Sequence, residues 1–153
     1  MNILNDIKIM KQIKHLGLML IVAMAIVFTS CTDMQRLKLD VAASDADCPY
    51  KVEEGTVMTK IQMHGDYVEY VYQSDEIDED GEEFSVADLN DPEIMKGMKE
   101  YCIKDDKEKY NTDEDLREFY KLCKKCKVGI EHRYIGKRTG AECTIRIEYW
   151  ELP

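Results

Sequence analysis

Cys123 and Cys126 are separated by two lysines, and this Cys-x-x-Cys spacing is the pattern in the chain that most directly suggests chemistry. Such a pair can act as a redox centre when the attacking thiol lies at the amino end of a helix, where the helix dipole stabilises the thiolate. The residues before Cys123 have helical spacing, so we expect the pair at the carboxyl end of a helix. The pattern therefore favours a structural role over redox catalysis.

The other cysteines bear on the same question. After the first of them, Cys31, the chain carries Cys48, Cys102, Cys123, Cys126 and Cys143. A zinc site would need a second closely spaced pair, which the sequence lacks, although the three isolated cysteines could still converge in the fold. In an exported chain these five thiols are expected to form structural disulfides. Five is an odd number and the connectivity stays open, with Cys102–Cys123 as the favoured pairing.

Histidines and acidic residues offer weaker candidates. His64 and His132 could serve as general bases, but the sequence holds no Gly-x-Ser-x-Gly nucleophile motif. His132 lies on the apolar face of an expected strand, which is typical of a hydrogen-bonded core histidine. Residues 76–81 match a calcium loop only in part, because Ala87 stands where the bidentate glutamate belongs. The sequence thus assigns no catalytic residue, no cofactor and no metal ligand; it leaves enzymatic activity open and favours a non-enzymatic protein.

A β-hairpin is the first element that would position these residues. Residues 56–64 and 67–74 are rich in β-formers and flank Gly65-Asp66, a two-residue turn signal. Such a turn pairs His64 with Tyr67 and Met63 with Val68, which places Val57, Thr59, Ile61, Met63, Val68, Tyr70 and Tyr72 on the buried face.

Two helices and a second hairpin follow. Asp91-Pro92 are an N-cap and a first helical residue, so a helix is expected over 92–103. Thr112 begins a second helix that ends near Cys126, and strands are expected over 128–134 and 142–150. The order ββααββ predicts an α+β fold, with a four-stranded antiparallel sheet and a helical hairpin packed on one face.

The amino-terminal segment predicts export. Lys8, Lys11 and Lys14 precede an apolar run over 16–28, whose 13 residues suit a signal peptide and are too few to span a bilayer. The run closes on Phe28-Thr29-Ser30-Cys31, which resembles the lipobox of bacterial lipoproteins, in the looser form found in the Bacteroidota. The resemblance covers residues 1–31 and implies that Cys31 is acylated and becomes the mature amino terminus. The remaining chain resembles small exported lipoproteins of unknown function, which implies no activity.

These observations predict three segments: a signal peptide over 1–30, the lipidated Cys31 with a flexible tether over 31–47, and one α+β domain over 48–153. The signal segment holds three of the 21 basic and one of the 31 acidic side chains, so the rest of the chain carries 18 against 30 and a formal charge of −12. Such a charge disfavours nucleic acid and attracts cationic partners.

The predicted function is therefore that of a membrane-anchored lipoprotein with a non-enzymatic binding or structural role in the cell envelope. It would face the periplasm or the cell exterior. Its expected partners are the lipid bilayer, through acylated Cys31, and a cationic envelope or extracellular protein. The alternatives are an inhibitor of a cationic cell-wall-degrading enzyme and a thiol-dependent envelope enzyme.

Overall fold

The computed structural model describes residues 32–153, so the expected signal peptide and the lipidation site Cys31 lie outside the described residues. The helices are α1 (Asp33–Asp45), α2 (Pro92–Thr112) and α3 (Glu114–Cys126), with a short 3-10 helix (Val86–Asn90) before α2. The strands are β1 (Tyr50–Glu53), β2 (Thr56–His64), β3 (Tyr67–Ser74), β4 (Gly129–Gly136) and β5 (Glu142–Ile147). In this part of the chain, none of the helices has the length and apolarity needed to cross a membrane.

The five strands form one mixed sheet in the order β1-β2-β3-β4-β5. Every neighbouring pair is antiparallel except β3 and β4, which run parallel. The expected α+β class is confirmed, but the four-stranded antiparallel sheet and the simple ββααββ order are wrong. Parallel neighbours need a long crossover connection, and the segment that carries α2 and α3 supplies it.

Strand β1 is the element that sequence patterning missed. It pairs with β2 through Tyr50 opposite Met58 and Lys51 opposite Val57. Its sequence Tyr-Lys-Val-Glu alternates apolar and polar residues, but the run is only four residues long and all four are exposed, so the alternation is a weak strand signal. The strand forms one edge of the sheet, beside the turn that leads into β2.

Residues 33–45, expected to be part of a flexible tether, instead form α1. Thr32 and Gln35 form a reciprocal capping box at its amino end. Leu37 and Val41 lie one turn apart on its inner face and are buried against the main core. The carboxylate of Asp45 accepts a hydrogen bond of 2.8 Å from the backbone N–H of Ile61, which fastens the end of α1 to β2.

The hairpin of β2 and β3 has the expected register near its turn, with His64 opposite Tyr67, Met63 opposite Val68 and Ile61 opposite Tyr70. A β-bulge between Met58 and Lys60 then shifts the pairing by one residue. Met58, which strict alternation places on the exposed face, consequently lies in the core at 6% exposure.

Helix α2 runs nine residues further than the expected end at Ile103, because Asp106 and Tyr110 continue its inward stripe. Asp113, rather than Thr112, caps α3 by accepting hydrogen bonds from the N–H groups of Asp115 and Leu116.

The three helices pack on one face of the sheet. The main core lies between these helices and the sheet, and it includes Leu37, Val41, Met58, Ile61, Val68, Tyr72, Tyr120, Leu122, Cys123, Val128, Ile130 and Ile147.

Candidate functional site

A row of polar side chains crosses the sheet on the face opposite the main core. Gln62 of β2 pairs with Glu69 of β3, Glu69 with Glu131 of β4, and Glu131 with Arg146 of β5. Because successive side chains of a strand point to opposite faces, these four residues share one face while their apolar neighbours point into the core. His64 lies two residues beyond Gln62 on the same face.

The two glutamates of this row are buried although they lie on a face without helices. Their side chains are 2% and 1% exposed for Glu69 and Glu131, respectively. Arg146 donates a hydrogen bond of 2.6 Å from Nε to Glu131 Oε2, and Gln62 donates one of 2.5 Å to Glu69 Oε2. His64 Nδ1 lies 2.9 Å from Glu131 Oε1. We call these five residues the sheet-face cluster.

Electrostatics keep Glu131 ionised. Burial alone would raise the pKa of its carboxyl, but the hydrogen bonds from Arg146 and His64 outweigh burial and hold the pKa below its ordinary value. Arg146 in turn lies 5.3 Å above the ring of Tyr67, whose hydroxyl donates to Glu148 at 2.8 Å. An ionised, hydrogen-bonded carboxylate in this setting is suited to holding a cation rather than to donating a proton.

A second candidate surface is a groove of about 590 Å³ between the β1–β2 turn and the loop after β3. Five carboxylates and two apolar side chains contribute to its walls; the lining residues are Glu53, Glu54, Gly55, Thr56, Ser74, Asp75, Ile77, Asp78, Glu79 and Phe84. We call it the acidic groove. Ile77 is 52% exposed, which leaves an apolar side chain among the acids.

The charges of the acidic groove are only partly compensated. Lys51 pairs with Glu54 at 2.6 Å and Lys137 with Asp75 at 3.1 Å. Glu53 and Glu79 form no ion pair with any residue in the described range 32–153. The groove therefore presents a net negative surface to solvent.

Glu76 stabilises the loop after β3, which forms one wall of the acidic groove. It is fully buried, has a φ of 60°, and accepts hydrogen bonds from the backbone N–H groups of Val86, Arg138 and Thr139 at 2.8–3.0 Å. The Thr139 hydroxyl donates a further bond of 2.5 Å. Burial would raise the pKa of Glu76, but these bonds lower it to about 2. This inward carboxylate is unavailable as the first ligand of a calcium loop.

The acidic groove lies at the far end of the sheet from the start of the described chain. At the amino end of α1, Asp33 pairs with Lys125 of α3 at 2.8 Å. The residues after α3 reach the β2–β3 turn, where Gly129 N–H donates to Asp66 O. The groove is instead built on the β1–β2 turn and the end of β3. Residue 32, next to the expected lipidation site, is thus at the opposite end from the groove.

The surroundings of the cysteines nominated from the sequence disfavour a reactive centre. Cys48, Cys102, Cys123, Cys126 and Cys143 are free thiols, and the favoured Cys102–Cys123 bridge is not formed between these described residues. Cys123 and Cys126 lie at the carboxyl end of α3, as expected. Burial, reinforced by the neighbouring Cys126, raises the pKa of Cys123 to about 12. Burial also raises the pKa of Cys126, which disfavours thiolate chemistry at this pair.

The thiol arrangement predicts an alkylation pattern. In the folded protein Cys123 and Cys143, at 0% and 1% exposure, should resist alkylation, because the reagent must reach a buried sulfur whose pKa is raised. In denaturant without reductant all five cysteines after Cys31 should be labelled. Intact mass spectrometry counts the labels. A single label in denaturant would establish two disulfides instead.

His132 is the core histidine that its strand position indicated. Its ring stacks between Tyr70 and Tyr72 at centroid distances of 5.6 and 5.8 Å, and its Nδ1 lies 3.0 Å from the Tyr72 hydroxyl. Burial, with a smaller contribution from the charge of Lys109, lowers the pKa of His132 to about 4. The side chain is therefore neutral at physiological pH and serves in packing.

Sequence reasoning missed the sheet-face cluster and the inward Glu76. It named His64 only as a candidate base, and it had no reason to bring Glu69 near Glu131. The available signal was the alternation in β4, where Glu131 and Arg133 interrupt an apolar strand. Recognising its partner required the parallel pairing of β3 with β4.

No protein-family model matches the sequence, and no curated protein matches it. Two solved structures align with the chain. One, from Pseudomonas aeruginosa, is a protein inferred to be secreted, with 8% identity, a TM-score of 0.46 and coverage of 78% of this chain and 91% of the other. The second is a pilotin of the Vibrio vulnificus type 2 secretion system, with 11% identity, a TM-score of 0.47 and coverage of 78% and 94%. Likenesses this weak support no inference about function.

Proposed function

We propose that this protein is an envelope lipoprotein, anchored through Cys31, that binds a cationic protein segment in the acidic groove. The single observation that carries the proposal is the groove itself, with uncompensated carboxylates at Glu53 and Glu79 beside the exposed Ile77. A segment with basic side chains and one apolar side chain complements that surface. Charge complementarity of this kind speeds encounter and selects against acidic partners.

The position of the groove supports the same proposal. An anchor at Cys31 would hold the amino end of α1 near the bilayer, whereas the groove lies at the opposite end of the sheet. The groove would then face away from the membrane and be accessible to proteins in the surrounding compartment. The intact-mass measurement also tests the anchor, because an acylated chain begins at Cys31 and is heavier by its acyl groups.

Two alternatives from the sequence have different support. An inhibitor of a cationic cell-wall-degrading enzyme belongs to the proposed class, since the groove would bind a basic segment of that enzyme. A thiol-dependent enzyme is disfavoured by the raised pKa values of Cys123 and Cys126. The envelope-binding role is therefore better supported than a thiol-dependent enzyme.

Charge reversal in the groove tests the binding role. The variant Glu53→Lys/Glu79→Lys should bind a cationic lysozyme about tenfold more weakly than the unaltered protein, because it removes the uncompensated charges that attract the partner. Isothermal titration calorimetry at low ionic strength measures the affinity. Added salt should weaken binding by the unaltered protein and have less effect on the variant.

A matched variant separates the groove from net charge. Glu100→Lys/Glu108→Lys makes the same change in formal charge on the exposed surface of α2, away from the groove. It should retain nearly full affinity. If both double variants lose affinity equally, or if the unaltered protein binds no cationic protein or peptide, the groove is not a binding site.

A further inference from the structure

Three potential metal ligands converge in the sheet-face cluster. His64 Nδ1 lies 2.9 Å from Glu131 Oε1 and 3.8 Å from Glu69 Oε1. One ligand atom from each residue can be chosen so that all three lie within 4.8 Å of one another. Zinc bonds of 2.0–2.2 Å in a tetrahedral site separate neighbouring ligand atoms by roughly 3.3–3.5 Å. The two distances from His64 lie on either side of that spacing.

We propose that His64, Glu69 and Glu131 bind a divalent transition-metal ion of the zinc type. The ion would take Nδ1 of the histidine and the Oε1 atom of each glutamate. Small side-chain movements suffice to bring these atoms to bonding distance, since Glu69 and Glu131 occupy directly paired positions on β3 and β4. The site lies near the β2–β3 turn and is separate from the acidic groove, so this inference does not depend on the proposed function.

The remaining oxygen of each glutamate is already held by a group that would not bind the metal. Arg146 Nε donates to Glu131 Oε2 at 2.6 Å, and Gln62 Nε2 donates to Glu69 Oε2 at 2.5 Å. This leaves both Oε1 atoms directed toward His64. Metal-bound carboxylates are commonly oriented by such outer hydrogen bonds, which also tune the affinity of the site.

The exposure of the cluster matches a site open on one side. The glutamate side chains are 2% and 1% exposed, whereas the side chain of His64 is 57% exposed. An ion could therefore enter from solvent past the imidazole ring and keep water in its fourth position. Three protein ligands with one open position are the arrangement found in catalytic zinc sites, whereas structural sites have four protein ligands.

The ligand types select among cations. Calcium takes six to eight oxygen ligands, which three residues with one bound oxygen or nitrogen each do not supply. An imidazole nitrogen with two carboxylate oxygens suits zinc and its neighbours in the first transition series. Metal binding would cost the present hydrogen bond between His64 and Glu131, with the ring proton carried on Nε2 instead.

In the metal-free protein, Arg133 is the cation that competes for Glu69. Its Nη1 lies 3.7 Å from Glu69 Oε1, while its Nε and Nη2 hold the two oxygens of Glu142 at 3.1 and 2.8 Å. Because the pair with Glu142 is closer and bidentate, Arg133 can keep that partner when a metal occupies the cluster. The alternative is a purely structural ion-pair network, in which His64 would bind no zinc.

Zinc titration of the intact chain in detergent tests the proposal, with a chromophoric chelator as competitor. His64→Ala should weaken zinc binding by at least about tenfold, because it removes one of three ligands, and Gln62→Leu should weaken it by roughly tenfold through loss of the outer hydrogen bond. His64→Ala also removes a hydrogen bond from the buried Glu131, but Arg146 would still hold that carboxylate, so the melting temperature should fall by only a few degrees and the variant should remain folded. The imidazole resonances of His64 should shift when zinc is added.

Cysteine variants provide the matched control, because thiols also bind zinc. Cys123→Ser/Cys126→Ser should retain the affinity and the His64 resonance shift. The proposal is overturned if the unaltered chain takes up no zinc, if His64→Ala binds as tightly as the unaltered chain, or if zinc binding is lost only with the cysteines.

Discussion

Replacing Glu76 with alanine is expected to lower the melting temperature of the domain by roughly 10 °C or more. The carboxylate is fully buried and accepts hydrogen bonds from Val86, Arg138 and Thr139. Alanine would leave the buried N–H of Val86 without an acceptor and would remove the acceptor that holds the N–H groups of Arg138 and Thr139 in the β4–β5 turn. Thermal unfolding followed by circular dichroism measures the effect.

Two further variants make the Glu76 result specific. Glu79→Ala changes an exposed acid of the same loop and should leave the melting temperature within about a degree of the unaltered protein, as surface substitutions usually do. Glu76→Gln keeps the volume but replaces one acceptor oxygen by a donor, so an intermediate loss is expected. Equal melting temperatures for Glu76→Ala and Glu79→Ala would show that the buried carboxylate does not hold the loop.

Acid pH should reproduce part of the Glu76 effect. Its pKa is lowered from an ordinary 4.5 to about 2 in the folded protein. The stabilisation from the ionised form is therefore fully present above the unfolded pKa and is lost as pH falls through the folded value. The stability difference between the unaltered protein and Glu76→Gln should shrink between about pH 4.5 and pH 2.

Gly129→Ala is expected to destabilise the domain by about 3 kcal/mol through overpacking. A Cβ at this position would lie 2.5 Å from the carbonyl oxygen of Ile147 and 2.8 Å from the ring of Tyr67. The first contact is with backbone, which cannot move without disturbing β5. Displacing Tyr67 would also break its hydrogen bond with Glu148 and its contact with Arg146. Urea unfolding measures the free-energy difference.

Gly97→Ala is the matched control for Gly129→Ala. Gly97 lies within α2, and a Cβ there would meet nothing within 4 Å. Alanine should stabilise the protein by about 0.5–1 kcal/mol, because it reduces the entropy that glycine loses in a helix. Destabilisation by Gly97→Ala, or stability unchanged by Gly129→Ala, would contradict the packing described for these positions.

Local signals predicted the parts of the fold that local chemistry decides. The two-residue turn at Gly65-Asp66 set the register of β2 and β3 correctly as far as the bulge before Lys60, and Asp91-Pro92 marked the start of α2. The Thr32–Gln35 capping box is an equally local signal for α1, but the segment after it has only a narrow apolar stripe, which is too weak to predict a helix. The exposed β1 offers only a four-residue alternation of apolar and polar residues.

Long-range pairing decided the rest. Glu69 and Glu131 are separated by more than sixty positions, and the parallel arrangement of β3 and β4 brings them side by side. The acidic composition around Glu76 indicated a solvated loop, which is correct for Asp75 and Asp78. Only the packing of the β4–β5 turn against this loop turns Glu76 inward. Both candidate surfaces therefore depend on tertiary contacts that no short pattern encodes.

The binding of a cationic partner in the acidic groove is tested most directly by mapping amide chemical shifts during a titration with a cationic lysozyme. We expect the largest, salt-sensitive changes in residues 53–56 and 75–79, which line the groove. Changes centred on α3, on the sheet-face cluster, or spread evenly over all acidic surfaces would contradict the account.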